Sequence, residues 1–70
     1  MRLAVIRLDD GEEIPCVLRD LSPRGAKLAV SRRYRLPEHF VLIVHGREPP
    51  FRVRRAWQRG DYAGVTIRDA

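Results

Sequence analysis

Residues 13–30 read Glu-Ile-Pro-Cys-Val-Leu-Arg-Asp-Leu-Ser-Pro-Arg-Gly-Ala-Lys-Leu-Ala-Val. Two short apolar stretches, 14–18 and 26–30, flank the polar hexapeptide Asp20-Leu21-Ser22-Pro23-Arg24-Gly25. In the first stretch Ile14, Cys16 and Leu18 alternate with Glu13, Pro15, Val17 and Arg19, so the spacing predicts a strand over 13–19 with the Ile/Cys/Leu face inward. Ala26, Leu28 and Val30 predict a second inward face over 26–30, with Lys27 outward. Pro15 has no N–H to give a ladder, so its N-side is expected at an edge or a bulge. Between the strands, Asp20 and Ser22 are residues that fold back onto backbone N–H groups, and Gly25 can take the φ > 0 conformation closed to other residues or form a bulge.

Working outward, the rest of the chain repeats the pattern. Leu3 to Leu8 reads as a first strand ended by the turn signal Asp9-Asp10-Gly11. Ser31 to His39 reads as a loop whose Tyr34 and Leu36 tuck against the body of the protein. Phe40 to Val44 is an unbroken apolar run, fitting a strand covered on both sides or lying at a barrel closure. Phe51 to Gln58 and Tyr62 to Ile67 complete six strands, separated by turns at 45–50 and 59–61. No stretch has helical period with caps. Short strands at regular spacing with Gly and Pro turns predict an all-β fold, a small six-stranded antiparallel barrel, as one domain over residues 1–70. Closure also removes the exposed edges that so short a chain could not otherwise cover.

Composition narrows the function. The 70 residues carry a net charge of +5, from thirteen arginines and a single lysine against nine acidic residues. Guanidinium is a planar fork that matches phosphate and the guanine edge, so the bias fits a nucleotide partner; a high-GC genome would produce it too. A single cysteine excludes an internal disulfide and has no metal-ligand spacing with His39 or His45. Its alternation with Ile14 and Leu18 makes Cys16 a buried structural thiol. No nucleophile–base pair is visible, so an enzyme is not expected and no metal or cofactor is called for. With no apolar run near the ~20 residues needed to span a bilayer and no signal peptide, a cytoplasmic protein is expected.

The hexapeptide allows two roles. A turn satisfying its own backbone is the commoner use of Asp-x-Ser. The same groups can serve a ligand: the carboxylate accepts from N–H donors, the hydroxyl does either job, and the missing Cβ admits close approach.

Asp20-x-Ser22-x-x-Gly25, then Leu36-Pro37-Glu38-His39-Phe40 leading into an apolar strand, resembles a PilZ domain. So does the ending, Trp57-Gln58-Arg59-Gly60 followed by Tyr62-Ala63-Gly64-Val65-Thr66-Ile67. Order and spacing agree from Leu3 to Ile67. The resemblance implies a six-stranded barrel that binds the bacterial second messenger cyclic di-GMP. It implies that Asp20 accepts from a guanine Watson–Crick edge, that Ser22 bonds base or phosphate, and that Gly25 gives room. The family's other half-site is an Arg-x-x-x-Arg segment before the first strand; here the first strand is expected to begin almost at Met1, without that segment. Arg2 and Arg7 are five apart and fall on opposite faces of a strand. Arg24 is the candidate partial substitute; Arg19 reads as a solvated residue. Two missing charge-assisted contacts, at ~1.5–3 kcal/mol each, cost about two to four decades in affinity, so weakened or lost binding is expected.

Two features of the fifth strand stand out. Phe51, Val53, Arg55 and Trp57 share one face and Arg52, Arg54, Ala56 and Gln58 the other. Arg55 is therefore expected to point inward and to need a buried partner, a place at the barrel mouth or a bulge. Trp57 is expected to pack in the core or at its rim, a base-stacking platform being the lesser reading. Arg52, Arg54 and Arg59 read as a solvated face. Besides the cyclic di-GMP receptor, two other functions fit: a degenerate PilZ domain acting as a protein-interaction module with an unknown partner, and, least favoured, a small basic barrel binding nucleic acid.

Overall fold

The chain closes on itself. The computed structural model describes residues 1–68, in which six strands run in the order β1(Arg2–Arg7), β2(Glu13–Leu21), β3(Gly25–Ala29), β4(His39–Val44), β5(Phe51–Arg59) and β6(Tyr62–Arg68). Their spatial order is β1-β2-β3-β6-β5-β4, every pair antiparallel, and β4 pairs back onto β1 from Ala4↔Val44 to Arg7↔Val41. The fold is therefore a closed six-stranded antiparallel β-barrel, and the described residues contain no helix long and apolar enough to cross a membrane. The apolar run at Phe40–Val44 is the closing strand: Phe40, Leu42 and Val44 are buried, with Val41 and Ile43 half-buried between two neighbours.

The alternation read from the sequence fills the interior. Ile14, Cys16 and Leu18 from β2 meet Leu28 from β3, Ala4 and Ile6 from β1, and Val53 from β5 in one core. Leu36, in the loop between β3 and β4, is only 1 % exposed and plugs one end of the barrel, with Tyr34 packed against that core. Burial pushes the Cys16 thiol up to about 11, because the thiolate would lose its water. Pro15 lies where β2 pairs only with β1, since the register with β3 begins at Val17.

Two β-bulges break the alternation, and they decide what the outside displays. In β2, Leu18 pairs with Leu28 and Asp20 with Lys27, so Arg19 is an extra residue. In β5, Arg55 pairs with Val65 and Trp57 with Gly64, so Ala56 is extra. A one-residue slip flips every later side chain to the opposite face. Strand β2 also runs two residues beyond the expected Arg19, so Asp20 and Leu21 belong to the strand rather than to its turn.

Candidate functional site

Without the bulge at Arg19, Asp20 would continue the inward face of Ile14, Cys16 and Leu18. With it, Leu18 is buried, Arg19 and Asp20 are both exposed, and Leu21 turns back toward the core. The bulge in β5 does the same for Trp57. This corrects the sequence expectation of a core or rim position: Trp57 lies outside, 44 % exposed, and Gln58 occupies the inward place. Gln58 caps the barrel end, accepting the Leu36 N–H at 3.0 Å and donating to the Tyr34 carbonyl at 2.7 Å. Arg55 is half-buried as expected and has its partner, its guanidinium donating to the Leu36 carbonyl and its N–H to Glu38 O at 2.7 Å.

Register then lines up four residues across four neighbouring strands. Asp20 pairs with Lys27, Lys27 with Gly64, and Gly64 with Trp57. Three inter-strand steps make this row ~14 Å long. Its middle is bare backbone: a Cβ on Gly64 would lie 2.1 Å from Trp57 Nε1, so the indole lies flat on the glycine. Lys27 leans over the Tyr62 ring, its Nζ 5.0 Å from the centroid. It leaves the exposed Asp20 carboxylate without a hydrogen bond or ion pair among the described residues. One free acceptor, one cation and one aromatic face thus share an outer surface.

The turn beside the row satisfies itself. The Ser22 N–H donates to Gly25 O at 2.9 Å, the Gly25 N–H donates to Ser22 Oγ at 3.2 Å, and the hydroxyl lies 3.3 Å from the same carbonyl. Ser22 therefore plays the commoner structural role, with an oxygen still facing solvent. Gly25 does not use its left-handed freedom: its φ is not positive. Glycine is needed there because a Cβ would meet the Val65 carbonyl oxygen at 2.6 Å as β3 approaches β6. Arg24 is exposed on the turn, and its carbonyl accepts the Ile67 N–H at 2.9 Å, fixing the turn to β6. Asp20, Ser22, Arg24 and Gly25 thus come together at one end of β2 and β3. Arg2 and Arg7 stand apart, donating to His45 O and to Glu13.

At the opposite end of the barrel, the Arg32 guanidinium bonded to Asp61 holds that carboxyl below the usual carboxylate range. Both side chains are exposed, and the pair orients the loop after β3.

Lys27, Gly64 and Trp57 were not legible as one site from the sequence. The signal was the pair of adjacent polar residues, Arg19-Asp20, ending a clean alternation. No protein-family model and no curated protein matches this sequence.

Proposed function

We propose that this barrel is a receptor domain for cyclic di-GMP of the PilZ type, acting in bacterial cytoplasmic signalling and binding its ligand weakly. The observation that carries the reading is the row Asp20–Lys27–Gly64–Trp57, turned outward by two bulges. Guanine offers two adjacent N–H donors on its Watson–Crick edge, which suit the two oxygens of an unpaired carboxylate. The indole flat on Gly64 offers a stacking face, a contact of ~1–3 kcal/mol for a base. Lys27 between them suits a phosphate. The domain does no chemistry on the ligand; it recognises it. The likeness in sequence order from Leu3 to Ile67 supports the same reading. Arg2 and Arg7 donate to His45 O and to Glu13, away from the row, and this supports weak affinity.

Titration calorimetry and amide-shift mapping with cyclic di-GMP test it. The expected result is saturable binding with shifts at Asp20, Lys27 and Trp57, and at least tenfold weaker binding of cyclic di-AMP, whose adenine lacks the paired donors. Asp20→Asn and Trp57→Ala should each weaken binding tenfold or more. Absence of any shift at millimolar ligand would refute the reading.

The exposed Trp57 and Tyr62 beside Lys27 and Arg59 favour one second reading, stacking on single-stranded nucleic acid. Salt dependence separates the two.

A further inference from the structure

The end of the barrel where β2 turns into β3 opens into a basin of ≈ 790 Å³. Its floor is apolar, from Leu21, Phe51 and Ile67, and its rim carries Arg47, Arg52 and Arg68. Among the described residues no carboxylate lines it; Glu48, in the same loop as Arg47, is not one of its lining residues. Ser22 forms part of the wall, so the basin adjoins the turn of the candidate site.

Arg52 and Arg68 are directly opposite each other across β5 and β6. Like charges in that position repel, and sheets normally avoid them. Arg54, two residues along β5, faces Glu38 at 3.8 Å. Among the described residues Arg52 and Arg68 have no acidic partner. A facing pair of cations above an apolar floor is relieved by an anion between them, and guanidinium forks fit phosphate oxygens in pairs.

Distance ties the basin to the row. Gly64 and Arg68 are four residues apart on the same strand and the same outward face, a separation of ~13 Å. That is the scale of a dinucleotide, not of a single phosphate.

We infer that Arg47, Arg52 and Arg68 form a phosphate-binding basin that supplies, from within the barrel, the cationic half of the ligand site. This rests on the nucleotide reading above for its ligand, while the anion site itself stands on the basin's own geometry. In this arrangement the two bases lie along the row, one edge-on to Asp20 and one stacked on Trp57, and the phosphates reach toward the barrel's end past Ser22.

The experiment is an amide-shift titration of the whole chain with sodium pyrophosphate and, separately, with cyclic di-GMP, in wild type, Asp20→Asn and Arg52→Gln/Arg68→Gln. Pyrophosphate should move Arg47, Arg52 and Arg68 first, bind Asp20→Asn as it binds wild type, and bind the double variant at least tenfold more weakly. The double variant should melt no lower than wild type without ligand, since a repulsive pair is gone, and this excludes misfolding as the cause. Pyrophosphate binding equally to wild type and the double variant, or only at Arg32 and Arg35, overturns the basin. If cyclic di-GMP binds both of those proteins alike, the inference falls and the receptor reading survives. If pyrophosphate binds at the basin while cyclic di-GMP does not bind wild type, the receptor reading falls and the anion site stands.

Discussion

Gly64 and Gly25 are both fixed by what a methyl group would strike, yet the consequences differ. At Gly64 the obstacle is the Trp57 indole, with Nε1 at 2.1 Å and Cε2 at 2.5 Å from a built Cβ. A side chain can swing away, so Gly64→Ala should leave the barrel folded but lift the indole off the strand. The expected readout is a red-shifted tryptophan emission, easily seen with a single Trp in the chain, together with loss of base stacking. At Gly25 the obstacle is the Val65 carbonyl at 2.6 Å, part of the ladder itself. Gly25→Ala should therefore cost stability, about 1–3 kcal/mol by the scale of overpacking, measured as a lower urea midpoint. An unchanged emission maximum in Gly64→Ala would contradict the packing of Trp57. Cys16 supplies a different residue-scale test. Its folded-state pKa, about 11, lies above the ordinary thiol value of 9.0. The stabilisation from keeping the thiol neutral is complete below pH 9 and is lost as pH rises toward 11, because the unfolded chain ionises first. Wild type should lose about 1–3 kcal/mol more than Cys16→Ala over that interval, seen as a steeper fall of melting temperature with alkaline pH.

At the scale of the strand, bulges matter more than composition. The inward residues of β2 and β3 are readable because alternation is local: Ile14, Cys16 and Leu18 are two apart, and their burial follows. The extra residues Arg19 and Ala56 are only hinted at, by the adjacent polar pair Arg19-Asp20 and by an arginine on the inward face at Arg55, because a bulge is a relation between two strands and no single segment encodes its partner's register. The cost of missing it was specific. Strict alternation puts Trp57 on the core or rim side and Gln58 on the outer face, and the slip at Ala56 exchanges them. The turn was legible in its residues and only partly in its mechanism, since Gly25 answers to Val65 rather than to a positive φ. Gln58 tests the exchange. It satisfies two backbone groups of the loop that seals the barrel, at Leu36 and Tyr34. Gln58→Leu should leave both unpaired and cost about 1–3 kcal/mol. In a domain of this size each kcal/mol lowers Tm by roughly 4–8 °C, so calorimetry resolves it. If Gln58 were outward, the change would be within about 0.5 kcal/mol of neutral.

At the scale of the molecule, closure and charge act together. Closing β4 onto β1 leaves the barrel without a free sheet edge among its six strands, so a partner must use faces or ends rather than strand addition. Those faces carry a net charge of +5, almost all of it arginine. Such a surface attracts any polyanion, so affinity alone does not identify the ligand; its dependence on salt does. A cyclic dinucleotide has two phosphates, and each neutralised phosphate of a single strand contributes a slope of about −0.7 in log affinity against log salt. Between 50 and 300 mM salt its binding should weaken by about tenfold. An oligonucleotide laid across Trp57, Tyr62 and the surrounding cations would engage several phosphates. Six contacts would give a slope of about −4 and a loss of about three decades over the same interval. Parallel titrations of cyclic di-GMP and a ten-nucleotide single strand, each at both salt concentrations, therefore separate sensing from nucleic-acid binding. Tighter binding of the strand than of the dinucleotide at 300 mM would favour the nucleic-acid reading. A strand that releases entirely at 300 mM, while the dinucleotide stays bound and responds to Asp20→Asn, would leave the free carboxylate as the determinant of recognition. Non-specific attraction has no use for an acidic group, so a loss of binding when Asp20 is made neutral can arise only from hydrogen-bonded readout of the base.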